Sequence, residues 1–115
     1  MLIQNFETET TDGIPLLLAV PYYSRMRFIS NLLPLLSKSS SPRVLSILAA
    51  GREAKIVTSD LELSSPDNYS LTNATSHTAT LTTLAMDELS KENPKVIFIH
   101  KYPGIVKTGL SKQNV

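Results

Sequence analysis

The apolar and polar positions of the chain form two short apolar runs and two longer helical patterns. Residues 96–99 read VIFI, an unbroken run that is rich in β-branched side chains. Residues 44–48 read VLSIL, which is a second, mainly apolar run with Ser46 at its centre. Short, continuous apolar runs are typical of strands that are buried on both faces of a parallel sheet. The pattern therefore predicts strands over residues 95–101 and 43–49.

Apolar residues recur at the spacing of one helical face in two longer segments. The first segment carries an apolar stripe, with Arg25 and Arg27 off it, formed by Tyr22, Met26, Ile29, Leu33 and Leu36. The pattern predicts helices over residues 15–37 and 70–91. Pro21 is expected to bend the first helix or to mark its start. Pro34 is expected to kink or end it, because proline has no backbone N–H and its ring clashes with the preceding turn.

The order of these elements is helix, strand, helix, strand. Two parallel strands that are joined through a helix form a right-handed crossover, so the predicted fold class is α/β with a parallel sheet. Two strands are few for such a sheet, because typical sheets have about five or six. Either further strands lie within residues 1–15 and 52–63, or the chain is part of a larger domain.

A polar turn follows the second predicted strand. Pro103 and Gly104 interrupt the apolar run, and the hydroxyl residue Thr108 lies just beyond them. Proline cannot donate to a sheet ladder, and glycine permits backbone conformations that other residues avoid. Open α/β sheets bind their ligands at the carboxyl ends of the strands. The turn is therefore the first candidate for a ligand-binding segment.

Composition narrows the range of partners and sites. The 115 residues carry a net charge of +1, which gives no field strong enough to attract nucleic acid or an anionic membrane. The chain has no cysteine and only two histidines, so disulfides, thiolate chemistry and a metal site are not predicted. Its first residues lack the basic and apolar regions of a secretory leader, and a cytoplasmic location is expected.

Four segments of the chain resemble the carboxyl-terminal half of the short-chain dehydrogenase/reductase family. They follow one another along the chain in the same order as in the family. Residues 103–108, PGIVKT, resemble the PG-x-V-x-T segment that follows the family's sixth strand. Residues 43–51 resemble its fifth strand, residues 69–89 the helix that carries its catalytic tyrosine, and residues 18–36 the long helix before it. A divergent fungal branch has a similar NYSL-x-NA motif in place of the usual tyrosine motif. The resemblance implies a single, incomplete Rossmann-like domain over residues 1–115.

The resemblance also implies an oxidoreductase that moves a hydride between NAD or NADP and a small carbonyl or alcohol substrate. In the family, the segment that Pro103, Gly104, Val106 and Thr108 match lies along the nicotinamide end of the cofactor. Tyr69 matches the catalytic tyrosine, which acts as a general acid or base. These five residues are the cofactor-binding and catalytic residues that the resemblance implies.

The sequence departs from the family's pattern at several positions. Its four glycines cannot form the glycine-rich turn that seats the pyrophosphate of the cofactor. Pro21, Ala49 and Asn73 stand where the family has asparagine, serine and lysine, so only Tyr69 of that active-site set is kept. A catalytic tyrosine needs a nearby positive charge to stabilise its phenolate, and Asn73 carries none. The active site is therefore predicted to be degenerate, and the isolated chain to be inactive.

Two functions of different classes stay open. The first is a short-chain dehydrogenase/reductase that is truncated relative to the family. The second is a non-catalytic remnant or interaction module that packs against a partner, such as a second copy, through the helices at 15–37 and 70–91. The family's corresponding helices commonly form its subunit interface. The missing glycine turn, serine and lysine favour the second function for the chain by itself, whereas the ordered set of four segments favours the first.

Three further polar residues lie in the predicted elements. Ser46 is interpreted as a core serine that is bonded to the backbone. His77 lies near the apolar stripe of its helix and is interpreted as a packed residue. His100 precedes the Pro-Gly turn and could face the ligand cleft, but an inert position at the pocket edge is favoured.

Overall fold

The computed structural model describes residues 9–107, and its elements follow the order helix, strand, helix, strand. The first helix has three segments, which are α1 (Leu16–Leu18), a π-helical turn (Ala19–Tyr23) and α2 (Ser24–Leu36). The elements that follow are strand β1 (Arg43–Ile47), helix α3 (Leu71–Glu92) and strand β2 (Ile97–Lys101). Thr108 of the predicted turn lies outside the described residues.

The two prolines of the first helix have different effects. Pro21 lies in the middle of the π-helical turn, and the Ser24 N–H donates to the carbonyl of Ala19, five residues back. The wider turn accommodates a residue that cannot donate the usual helical hydrogen bond. Pro34 lies inside α2, which continues for two more residues and ends at Leu36.

The two strands form a parallel pair that is joined through α3. They lie in register from Arg43 beside Ile97 to Ile47 beside Lys101. This arrangement confirms the predicted α/β class and is consistent with a partial Rossmann-like fold. The segment 52–63 lies within the described residues and forms no strand.

Side chains cap both ends of α3. The Ser70 hydroxyl oxygen accepts a hydrogen bond from the Asn73 backbone N–H at 3.0 Å, which satisfies one of the free donors of the first turn. At the other end, the Asn93 side-chain amide donates to the Leu89 carbonyl at 2.9 Å. Pro94 then follows and cannot continue a helix. The N-cap of α3 is therefore the residue that directly follows Tyr69.

The core lies on one face of the sheet. Its buried residues are Ile29, Val44, Met86 and Val96, flanked by the partly buried Met26, Leu33, Leu36, Leu89 and Phe98. Val44 and Phe98 are register partners, so they present neighbouring side chains to the same face. The other core residues come mainly from α2 and α3. Both long helices therefore cover the same face of the sheet.

The opposite face of the sheet is open in the described part of the chain. Leu45, Ile47, Ile97 and Ile99 all lie on it, and their exposed fractions run from 40% for Ile99 to 55% for Leu45. The expectation that both strands are buried on two faces is therefore wrong for residues 9–107. The continuous apolar runs reflect strands that are apolar on both faces, but only one of those faces receives helices here.

Charging the open face is expected to reduce self-association of the chain. Exposed apolar patches and strands with an unpaired edge favour association with other chains. The double variant Leu45→Lys with Ile99→Lys should move the average mass toward the monomer in sedimentation equilibrium. Leu61→Lys changes a leucine of similar exposure in a loop and should leave the mass unchanged. An unaltered chain that stays monomeric at the concentrations used for NMR would contradict this expectation.

Candidate active site at the carboxyl end of the sheet

A mainly apolar cleft of about 350 Å³ lies at the carboxyl end of β1. Its walls come from the first helix, the end of β1 and the first turns of α3. Its lining consists of Leu16, Leu17, Val20, Pro21, Arg25, Leu48, Ala49, Leu71, Ala74, Thr75 and Thr78. This size and character fit a small-molecule site, and the position is the one where open α/β sheets bind ligands.

Two of the four positions that match the family's active-site set lie in the wall of this cleft. Pro21 comes from the π-helical turn, and Ala49, which is buried, comes from the end of β1. Neither side chain offers a hydrogen-bonding group. The hydroxyl groups of the described lining belong to Thr75 and Thr78, and the loss of the family's serine and asparagine stays a prediction.

The other two positions lie at the start of α3 and not in the described lining of the cleft. Tyr69 is half-buried, and its backbone N–H donates to the Ser65 carbonyl at 3.2 Å. Asn73 is exposed, and its side-chain amide donates to the Asn68 carbonyl at 2.9 Å. Asn73 therefore ties the helix to the preceding loop instead of supplying a charge. The catalytic role of Tyr69 stays a prediction.

Asp60 organises the loop that leads to Tyr69. One of its carboxylate oxygens accepts from the Ser64 N–H at 2.9 Å, and the other accepts from the Ser65 N–H at 3.0 Å and from the Asn68 side chain at 2.8 Å. These hydrogen bonds, that from Asn68 foremost, lower the pKa of Asp60 to about 2. His77 of α3 is buried, and its Nε2 lies 2.7 Å from the Leu61 carbonyl, which holds the loop against the helix.

The predicted cofactor-binding turn follows β2 without regular structure. Gly104 has a φ of +81°, a left-handed conformation that favours glycine. Pro103 and Val106 are exposed. Arg52, in the loop after β1, holds its guanidinium 5.3 Å from the ring centre of Tyr102, which is a cation–π distance. The segments that follow the two strands therefore meet at one edge, as the parallel order requires, and the cofactor contacts themselves stay predictions.

Arg25 links the first helix to the end of β1. Its Nη1 donates to the Ile47 carbonyl at 2.6 Å and to the Ser46 hydroxyl oxygen at 3.3 Å. Ser46 is buried, as the sequence predicted, but its partner is this guanidinium and not the backbone. Sequence reasoning missed Arg25 because it lies off the apolar stripe, where a solvated charge is expected.

A second hydrogen-bonded group lies beside Ser46, on the neighbouring strand. His100 is the register partner of Ser46, and its Nδ1 lies 2.8 Å from the Thr83 hydroxyl, which donates to Glu53 Oε1 at 2.7 Å. The hydroxyl has one proton to give, so His100 Nδ1 carries the proton that it donates to Thr83. Nε2 is then an acceptor, and among the described residues this buried atom has no partner.

Burial and charge shift the pKa values of this group. Burial is the main cause that lowers the pKa of His100; the positive charge of Arg25 adds to it, and the negative charge of Glu53 opposes it. The hydrogen bond from Thr83 lowers the pKa of Glu53. His100 is thus a packed, hydrogen-bonded residue that faces α3, and its side chain is only 8% exposed. Nothing in the sequence distinguishes Thr83 from the other threonines of α3.

In residues 9–107, no group of three or more histidine, aspartate or glutamate side chains is positioned to hold a metal ion. The helices of the same residues include none with the length and apolar character needed to cross a membrane.

Comparison with known proteins identifies the relatives of the chain. An oxidoreductase of Emericella nidulans is 52% identical over 102 residues, which cover 89% of this chain and 30% of the relative. An NmrA-like family domain-containing oxidoreductase of an Aspergillus species is 36% identical over 107 residues, covering 92% of this chain and 32% of the relative. A short-chain dehydrogenase/reductase of Stachybotrys chartarum is 34% identical over 103 residues, covering 84% of this chain and 28% of the relative.

The class of protein follows from the fold and these relatives together. The chain is an α/β protein that is homologous to fungal oxidoreductases. These relatives confirm the resemblance to the short-chain dehydrogenase/reductase family, because one of them is named as a member of that family and all are oxidoreductases. It spans about a third of the length of each of these relatives. No family model matches the chain, and no solved structure matches it.

The protonation of His100 is expected to make stability depend on pH. The pKa of His100 is lowered in the folded chain, so at a pH below its ordinary pKa of 6.5 the unfolded chain binds more protons than the folded chain. The contribution of neutral His100 to the free energy of unfolding is therefore fully present above pH 6.5 and is lost as the pH falls through the pKa of the folded chain. Urea unfolding between pH 8 and 5 should show this fall in unmodified protein and a flatter profile in His100→Gln.

Lys101→Gln is the matched control for this measurement. Lys101 is the next residue along β2, and its side chain is exposed. The control should keep the pH dependence of the unmodified chain. A folded His100→Gln variant with the same fall in unfolding free energy would exclude His100 as its source.

Proposed function

We propose that the chain forms part of the active site of an NAD(P)-dependent oxidoreductase that acts on a small carbonyl or alcohol. The observation that carries the proposal is the apolar cleft at the carboxyl end of β1, which Pro21 and Ala49 line. Those two residues match active-site positions of the family whose members this chain resembles. The names of the relatives, which are all oxidoreductases, support the same class of reaction.

The turn after β2 fits one end of the cofactor in this proposal. Pro103, Gly104, Val106 and Thr108 would lie along the nicotinamide, and the left-handed backbone at Gly104 suits a close approach of the chain. The 115 residues contain no glycine-rich turn for the pyrophosphate, so they fit only this part of the cofactor. When it is bound, the cofactor gives or takes the hydride.

Tyr69 is the residue that we propose as the general acid or base. Its backbone is fixed on both sides, by the Asp60 loop before it and by the Ser70 cap after it. Its hydroxyl would donate a proton to the substrate oxygen as the carbonyl is reduced, and would accept one in the reverse direction. Asn73 adds no positive charge, so any charge that assists Tyr69 comes from another group.

A non-catalytic interaction module is the second candidate function, and one observation favours it. Phe28, Leu32 and Leu35 repeat at helical spacing along α2, and they are 69%, 48% and 66% exposed. Apolar residues on one side of a helix form a natural packing surface for another helix. In this reading α2, together with α3, would pair with a partner such as a second copy of the chain.

The affinity of the chain for NADH or NADPH tests how much of the cofactor-binding site lies within the 115 residues. Without a pyrophosphate-binding turn, the 115-residue chain is expected to bind NADH or NADPH with a dissociation constant no tighter than roughly 1 mM. Titration followed by nucleotide fluorescence or by calorimetry measures this constant. Micromolar binding would contradict the expectation and would require a phosphate site elsewhere in the chain.

Replacement of Tyr69 by phenylalanine tests the proposed reaction. The experiment uses a chimera in which this chain replaces the matched 102-residue segment of the Emericella nidulans relative. Tyr69→Phe keeps the ring and removes the proton donor, so the rate of NAD(P)H oxidation should fall by about 10²–10⁴. Asn73→Lys should raise the rate near neutral pH, because a positive charge beside the phenol stabilises the phenolate.

Tyr102→Phe is the matched control in the same chimera. Tyr102 is 39% exposed at the end of β2, and phenylalanine keeps the ring face that Arg52 contacts. Its turnover should stay unchanged. A Tyr69→Phe chimera with full turnover would exclude Tyr69 as the acid, and a chimera that is folded but inactive on the relative's substrate would favour the non-catalytic function.

A further inference from the structure

The cleft at the end of β1 contains a single charge among its described lining residues, and that charge is Arg25. The guanidinium has five N–H donors in a fixed plane. In this structure Nη1 donates two hydrogen bonds, to the Ile47 carbonyl at 2.6 Å and to the Ser46 hydroxyl oxygen at 3.3 Å. The other donors have no protein acceptor within residues 9–107.

The charge of Arg25 is also not neutralised by the described chain. The ion pairs of residues 9–107 join Lys91 to Asp87 and to Glu88. His100 Nδ1 lies 3.8 Å from Glu53, and none of these contacts includes Arg25. A partly buried cation beside an apolar surface has lost part of its hydration, which makes an anionic partner favourable. The bond to Ile47 holds the guanidinium in one orientation before any ligand arrives.

The remaining polar groups of the cleft are already committed to their own helix. The Thr75 hydroxyl donates to the Leu71 carbonyl at 2.8 Å, and the Thr78 hydroxyl donates to the Ala74 carbonyl at 2.9 Å. Each hydroxyl has only one proton to donate. Arg25 is therefore the principal hydrogen-bond donor that the described lining offers to a ligand, and the rest of the surface offers apolar contact.

We propose that this cleft binds a small, mainly apolar molecule that carries one carboxylate, with the carboxylate on Arg25 and the apolar body against Leu17, Val20 and Leu48. The assignment rests on the proposed function, since it gives the substrate class of the same site. One guanidinium matches one carboxylate in charge and in geometry. A phosphate carries more charge and hydration than one cation in an apolar cleft can replace, so the geometry favours the carboxylic acid.

The test compares two probes of the same shape on the unmodified 115-residue chain. 4-Phenylbutyrate carries the carboxylate, and 4-phenylbutyramide replaces it by a neutral amide. Calorimetric titration at pH 7 should find the acid bound at least about tenfold more tightly, which is the size expected for a charge-assisted hydrogen bond. Equal affinity for the two probes, or no binding of the acid, would overturn the proposal. This comparison does not depend on the folding of any variant.

Variants of α2 test whether Arg25 is the source of the preference for the acid over the amide. Arg25→Gln keeps a donor for the Ile47 carbonyl but removes the charge, and it should abolish the preference for the acid. Arg25→Lys should retain part of the preference. Arg27→Gln removes a charge from an exposed position two residues along the same helix and should leave the preference intact. A folded Arg25→Gln chain that still prefers the acid would overturn the assignment of Arg25.

Competition with inorganic phosphate tests whether the cleft prefers an apolar carboxylic acid to a small inorganic anion. Phosphate should not displace 4-phenylbutyrate at equal concentration, and displacement would overturn the choice of an apolar acid.

Failure of the proposed function and failure of the carboxylate assignment give different results. A chimera without turnover would count against the oxidoreductase and leave the acid-to-amide ratio unchanged. Equal binding of acid and amide would overturn the carboxylate assignment even if the chimera reduced a neutral carbonyl.

Discussion

The parallel register of β1 and β2 is the constraint on which the other features of the site depend. Parallel strands need a long connection, and α3 with its preceding loop supplies it. Because both strands run in one direction, their carboxyl ends meet at one edge, and the Leu48 N–H extends the pairing by donating to the Lys101 carbonyl at 2.9 Å. The cleft and the two loops that follow the strands all lie at this edge. A slip of one residue in either strand would turn its polar residue, Ser46 or His100, to the open face.

The same register creates a polar row inside an otherwise apolar layer. Arg25, Ser46, His100, Thr83 and Glu53 come from α2, β1, β2, α3 and the loop after β1, so each element contributes one member. Arg25 bonds to Ser46, and Thr83 bonds to His100 and Glu53, which compensates these polar groups for their loss of water. The row has a cation at one end and a carboxylate at the other, with neutral groups between them. The two charges act on the pKa of His100 in opposite directions: Arg25 lowers it and Glu53 raises it.

Local patterns in the sequence were enough to predict the fold class but not the site. The apolar runs at 43–49 and 95–101 and the periodicity of α3 depend on neighbouring residues, so the parallel pair could be predicted. Which face of the sheet stays open depends on where both helices pack, and no local pattern contains that information. Arg25 and Thr83 belong to the site through contacts with residues about twenty positions away. The helical pattern placed Arg25 on the polar face of its helix. It did not distinguish Thr83 from the other threonines of α3.

The π-helical turn at Ala19–Tyr23 has a consequence for how this helix tolerates insertions and deletions. A π-helical turn holds one more residue than the α-helical turn that it replaces. Deleting one residue there would restore a regular α-helical turn and leave α2 in nearly its present orientation relative to α1, because the wide turn absorbs the extra residue. If the extra residue were wound into a regular α-helix instead, α2 would rotate by about 100° relative to α1 and its apolar stripe would leave the core. A lineage can therefore gain or lose one residue in this short segment and still keep both the core and the cleft.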